Sequence, residues 1–282
     1  MSELEIGLAL AAFSALLTAF AHATLKVGGD KLAVQAWIRL IGLAIASPLA
    51  IWVGLPPRDL WPWLIAAASV HAIYQFLLSW SYSVSDFSVA YPVARGIAPI
   101  LTAILGIAVL GDQLSAGVAV SIFTVSIGIL ILASGRSISP TGFMAAVATG
   151  ALTMAYSVID AKGMRLSPDL YTFIAWFFVL DGVSMPVALV VARREKAAAL
   201  FFENARVGIA AGLLAPLSFV PVLYAFRLAP VGAVAAIRET SVLVGLLVAA
   251  YMLKETIDRR RVGGASLIMI GALGIIAASV HG

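Results

Sequence analysis

Two arginines stand where arginine is costly. Arg95 and Arg238 each lie about seven residues inside a long apolar run, roughly 10 Å deep at a helical rise of 1.5 Å per residue. A guanidinium matches a carboxylate or phosphate bidentately, so two of them facing one space would bind an anionic group. The alternatives are snorkelling to a lipid headgroup or pairing with the adjacent Glu239. Glu239 in turn reads either as a proton-coupling carboxylate or as the fixed counter-ion of Arg95 or Arg238, because burial and a neighbouring cation push such a group in opposite directions. Asp181, in the middle of another apolar run, pairs with Arg39 or Lys162 or titrates with function.

Polar residues at helical spacing surround these charges. His71, Gln75, Ser79 and Tyr82 form one stripe at intervals of four, four and three, flanked by Tyr74. On a lipid-facing side such a stripe would strand donors in hydrocarbon, so it faces a cavity or another helix. Further along, Ser218 and Tyr224 share a run with Pro216 and Pro221, whose spacing predicts a bend or an unwound turn. Ser14, Thr18, His22 and Lys26 recur every four residues; Ser14 and Thr18 are expected to bond their own helix or a neighbour, and Lys26 to reach headgroups. Metal chemistry is not expected: there is no cysteine, and the three histidines, His22, His71 and His281, have no ligand spacing.

The elements that must position these groups follow from composition. The chain has 282 residues, 62% hydrophobic and 11% charged, with a mean hydropathy of +1.05. Soluble proteins are nearer 45–50% apolar and about 25% charged. This excludes a soluble enzyme, a nucleic-acid-binding domain and a disordered chain; the bilayer is the first partner and nucleic acid is not one. Ten runs of spanning length occur, at 5–25, 33–54, 61–83, 88–110, 116–134, 140–160, 170–192, 207–227, 232–253 and 262–280. Ala21-His22-Ala23 resembles a signal-peptidase site, but Glu3 and Glu5 replace a basic start, so the first run is read as a retained helix.

Sliding the chain by 143 residues lays Arg95 on Arg238, Asp112 on Glu255, Gly128 on Gly271 and Leu130 on Leu273. An odd number of helices per repeat inverts the second half, so the expected fold is all-α: ten transmembrane helices in two inverted five-helix repeats, 1–135 and 136–282. One set of loops holds Lys26, Lys31, Arg136, Arg193, Arg194, Lys196, Arg206, Lys254, Arg259, Arg260 and Arg261; the other holds Arg58, Lys162, Arg165 and Arg227. Eleven against four puts the first set in the cytoplasm and both termini outside. Asp112 and Glu255 read as acids that cap the helix following each. Gly128, Gly271, Gly274 and Ala272 suit close helix packing, and Trp37, Trp52, Trp61, Trp63 and Trp80 read as interface anchors.

The pattern resembles the drug/metabolite transporter superfamily, specifically its EamA-like family, over essentially the whole chain. The matching residues are Ala21-His22-Ala23-Thr24-Leu25-Lys26, Arg39, the stretch from Tyr91 to Pro99, Leu110-Gly111-Asp112-Gln113-Leu114-Ser115 (Asp112 standing where the family has Glu), and Leu253-Lys254-Glu255. The resemblance implies export or exchange of a small metabolite by alternating access, around a central cavity lined by helices 3, 4, 8 and 9, in a bacterial inner membrane. The candidate substrate-binding residues are then Arg95, Arg238, His71, Tyr74, Gln75, Tyr91, Ser218 and Tyr224, with Glu239 and Asp181 for coupling or charge pairing. An anionic or zwitterionic substrate is the first expectation, with a coupling proton as an optional partner, no cofactor, and a monomer or homodimer. Efflux of lipophilic cations is the alternative, and a membrane-embedded enzyme a third.

Overall fold

A segment in hydrocarbon finds no water for its N–H and C=O groups and must bond them internally. Accordingly, the described residues form helices and no strand. The computed structural model describes the backbone of residues 1–27, 29–84, 87–134, 140–244, 246 and 259–280, and within these the side chains outside 19–27, 78–84, 87–94, 133, 142, 146 and 280. In chain order the helices are α1 (Glu3–Val27), α2 (Lys31–Val53), α3 (Trp61–Val84), α4 (Phe87–Leu105), α5 (Ala116–Ala133), α6 (Pro140–Leu166), α7 (Thr172–Asp181), α8 (Ser184–Arg193), α9 (Ala197–Glu203), α10 (Ala205–Leu228), α11 (Val231–Arg238) and α12 (Arg259–Val280).

By length and composition, five stretches among the described residues are suited to cross a membrane: Lys31–Val53, Phe143–Leu166, Thr172–Glu203, Ala205–Leu228 and Arg259–Ser279. Two shorter apolar helices, Arg95–Leu110 and Ala116–Leu132, accompany them. Large apolar side chains such as Ile51, Val120, Val191 and Leu217 cover the outside, while Phe173, Phe177, Leu223 and Phe226 fill the interior. Such an outward apolar face suits lipid rather than water. The chain is a multi-pass integral membrane protein.

Three segments differ from the expected runs. α6 continues past the predicted end at 160 to Leu166, because its last turns are held by other helices rather than released to water. Arg165 donates to Asp112 at 2.6 Å and to the carbonyls of Phe226 and Ala229. The seventh run is broken into α7 and α8, with Ser184 Oγ donating to Asp181 O across the break. The ninth is interrupted after Arg238, where Glu239, Thr240, Val242 and Leu243 make tighter bonds to carbonyls three residues back. By contrast, α10 runs unbroken through Pro216 and Pro221, so the predicted unwound turn is absent there.

The helices pack as α1 on α10 and α6 on α3, as α2 on α10 and α7 on α3, and as α4 on α6 and α11 on α1. α5 lies along α12, α2 along α7 and α4 along α11. The first of these last contacts is close: a Cβ on Gly128 would lie 2.7 Å from Gly264 O, and one on Gly271 the same distance from Ser121 O. At one end of the bundle Arg193 meets Asp30 and Asn204 accepts from Gly29 N–H. At the other, Trp176 donates to Gly54 O, and Arg227 to the carbonyls of Ser167 and Asp169.

Two further readings are corrected. Asp112 does not cap the helix that follows it. Ser115 does that for α5, while Asp112 Oδ2 accepts from Val231 N–H at 2.7 Å and so caps α11, far along the chain. Trp37 is not a lipid-interface anchor: it stacks on Phe201 with ring centroids 4.3 Å apart and donates to Phe201 O. Trp52 does face outward, 73% exposed. The expectations for His22, Lys26, Ser79, Trp80, Tyr82 and Tyr91 concern side chains outside those described, as does Glu255.

Candidate functional site

Where α1, α2, α3, α4, α6, α10 and α11 converge they leave a cavity of about 130 Å³. The α3 stripe supplies His71, Tyr74 and Gln75, one helical face aimed at one space. Arg39 of α2, Arg95 of α4 and Arg238 at the end of α11 bring three guanidinium groups to the same cavity. Thr18, Gln35, Tyr156, Ser218 and Phe219 complete its polar and aromatic lining.

Local structure explains how these groups are held. Arg238 and Glu239 sit where α11 gives way to a tight turn, which directs adjacent side chains differently from a continuous helix. Arg95 Nη1 donates to Glu239 Oε1 at 2.9 Å, joining α4 to that turn. Arg39 forms an ion pair with Asp181, the last residue of α7, whose side chain is wholly enclosed. Gln35 donates to Gln75 at 2.8 Å. Ser14 Oγ donates to Ser218 O at 2.6 Å, and Thr18 Oγ1 to Ser14 O, so the α1 hydroxyls bond a neighbour and their own helix. Arg238 makes no ion pair among the described residues, and its Nε has no hydrogen-bond partner.

His71 is a buried member of the lining. Its ring lies between Tyr156, Phe177 and Phe219, with centroids 4.4, 4.9 and 5.3 Å away, and Nε2 is 2.9 Å from Asp160 Oδ2. Asp160 went unrecognised in the sequence because, with Lys162, it resembled the polar end of a span. Its enclosure follows from the extension of α6 to Leu166, and its partner is 89 residues away. One signal was available: Thr149, Thr153 and Ser157, four apart, mark a polar face that continues to Tyr156 and Asp160. Each of those three hydroxyls donates to a carbonyl four residues back, which frees the face for the charged pair.

Of the candidate residues, the fold brings Arg95, Arg238, His71, Tyr74, Gln75 and Ser218 to one cavity, with Glu239 and Asp181 behind two of the arginines. Tyr224 is not among the described residues lining it. α10 presents Ala211, Ala215, Ser218 and Phe219, and a residue six positions beyond Ser218 points about 240° around the helix. Arg39, Gln35, Tyr156 and Phe219 were not in the candidate set and do line it. Among the described residues no group of His, Asp and Glu is arranged to hold a metal ion.

Comparison with known proteins gives three results. No curated protein sequence matches the chain. A solved crystal structure is similar over 97% of this chain and 97% of its own, with a TM-score of 0.75 at 15% identity, a likeness that concerns the fold alone. The EamA-like transporter family matches residues 141–277, from the start of α6 to the last turn of α12. That stretch is thus an EamA-like transporter domain, of the drug/metabolite transporter superfamily.

Proposed function

We propose that this membrane transporter is a secondary carrier, an exporter or exchanger, for a small anionic or zwitterionic metabolite such as an amino acid, an organic acid or a phosphonate. Transport would proceed by alternating access of two inverted five-helix halves, 1–135 and 136–282, about the central cavity. The helix contacts support the repeat: exchanging the halves turns α1 on α10 into α6 on α3, and α4 on α6 into α11 on α1. The family match, residues 141–277, falls within the second half. On this reading the termini are extracytoplasmic and the membrane is a bacterial inner membrane.

The observation that carries the substrate class is Arg238, a cavity guanidinium with no ion pair among the described residues, beside the paired Arg95 and Arg39. A permanently charged group that makes no ion pair among the described residues is stabilised by an anion that arrives beside it. Size agrees, because about 130 Å³ is below the 300–1,000 Å³ typical of drug-sized pockets. The cation-efflux alternative needs a free carboxylate, whereas Asp181, Glu239 and Asp160 each face a cation or a histidine.

The test is counterflow in sealed proteoliposomes preloaded with carboxylates, amino acids or phosphonates. Saturable exchange of an anion that disappears in Arg238→Gln supports the reading. Exchange of lipophilic cations that survives in Arg238→Gln refutes it.

A further inference from the structure

Three buried pairs of a basic and an acidic side chain stand around the cavity among the described residues: Arg39 with Asp181, Arg95 with Glu239, and His71 with Asp160. They are not chemically equivalent. A guanidinium keeps its proton at any pH a cell meets, so the first two pairs carry a fixed charge. The third joins an imidazole to a carboxylate, two groups that, unlike a guanidinium, can each take up or release a proton. The sequence suggested Glu239 for a coupling proton. In the structure its carboxylate is instead engaged by Arg95 Nη1 at 2.9 Å.

Geometry makes the third pair suitable for holding a proton at a defined place. Asp160 is fully buried, and its Oδ1 has no hydrogen-bond partner. Three aromatic rings fix the imidazole plane so that Nε2 meets Oδ2, while His71 still forms part of the cavity wall. Tyr74 and Gln75 on α3, Gln35 and Arg39 on α2, Arg95 on α4, Tyr156 on α6, Asp181 on α7, Ser218 on α10, and Arg238 and Glu239 after α11 are the polar and charged groups of the surrounding elements.

Charge counting then gives the pair a role. Arg39, Arg95 and Arg238 against Asp181 and Glu239 leave one positive charge. A deprotonated His71–Asp160 pair cancels it; a proton shared between them restores it. We infer that His71 and Asp160 form a proton-binding site in the cavity wall, loaded when a substrate anion is bound, so that one proton and one anion occupy the cavity together. The proton comes from water on the side to which the cavity is open, and no covalent bond other than that to the proton is made or broken. The proton site stands on this geometry; its coupling to an anion rests on the function proposed above.

The experiment uses the full chain in detergent with ¹⁵N-labelled histidine, followed by NMR from about pH 5 to 9, a range that brackets an ordinary imidazole. His71→Gln assigns the signal among three histidines; should it not fold, His22→Gln and His281→Gln assign it by elimination. The His71 signal should pass from the imidazole to the imidazolium form within this range, and Asp160→Asn should displace that titration. A signal fixed in one form throughout overturns the inference. A second arm adds benzoate as the probe anion and counts protons by calorimetry in buffers of different ionisation enthalpy. One proton taken up per benzoate, lost in His71→Gln or Asp160→Asn, supports coupling; benzoate binding without proton uptake refutes it. If benzoate and the other simple carboxylates fail to bind, the anion reading fails, while the proton site is still decided by the titration.

Discussion

Arg95 and Arg238 are equivalent in the repeat but not in their surroundings, and substituting each by glutamine should separate binding from stability. Arg95→Gln removes the cation 2.9 Å from Glu239, whose side chain is 3% exposed and whose Oε2 already lacks a partner. Breaking a buried ion pair from one side costs about 3–5 kcal/mol, because the remaining charge is left without compensation. Arg238→Gln breaks no ion pair among the described residues, so its cost in stability should be the smaller of the two. Both should lose anion binding, by about 2 kcal/mol or more, which is roughly 30-fold in Kd. The assay is thermal unfolding of the detergent-purified variants without ligand. Arg95→Gln should be the less stable by a clear margin, and Arg95→Gln with Glu239→Gln should recover much of the loss by removing the stranded charge. Equal stability of the two single variants, or no recovery in the double variant, would refute the assignment of Glu239 as the counter-ion of Arg95.

Other predictions concern the frame around the cavity. Gly128→Leu should destabilise the α5–α12 contact by about 1–3 kcal/mol, since its Cβ meets backbone that cannot move aside, whereas Gly263→Ala, with nothing within 4 Å, should be neutral; thermal unfolding compares them. Asp112→Ala removes both the partner of Arg165 and the cap on Val231 N–H, so it should cost about 1.5–3 kcal/mol and expose the α4–α11 end to faster hydrogen exchange. Asp169 starts α7 by accepting from Tyr171 N–H, Thr172 N–H and Thr172 Oγ1. Partial burial pushes its carboxyl up, but these bonds and nearby Arg227 outweigh that and hold it below its ordinary value. A lowered value means stabilisation that is complete above the ordinary carboxylate range and lost as pH falls through the lowered value. Asp169→Ala should therefore be less stable than the parent at neutral pH, by about 1 kcal/mol, with the gap closing in acid.

How much could be read without the fold follows from where each signal lies. Helical periodicity sufficed for His71, Tyr74 and Gln75, because a stripe along one helix is a local property. The depth of Arg95 and Arg238 in apolar runs was likewise local, as was the family resemblance carried by short motifs. Asp160 and the Asp112 cap were not legible, since each depends on a contact made by a remote helix: 89 residues away for His71 and 119 for Val231. Tyr224 was assigned by residue type without its helical phase, which turns it from the wall that Ser218 lines. The two prolines of α10 suggested a break, yet the chain is interrupted instead after Arg238, where no proline stands. Proline constrains one helix, whereas packing decides whether the helix yields.

The most direct test of the central claim is thermal stabilisation of the purified protein by carboxylates, phosphonates, amino acids and lipophilic cations, because a ligand that binds the native state raises its apparent stability. Stabilisation by an anion, abolished in Arg238→Gln while that variant remains folded, is the result predicted. Stabilisation by lipophilic cations alone, unchanged in Arg238→Gln and lost in Glu239→Gln, would contradict the account.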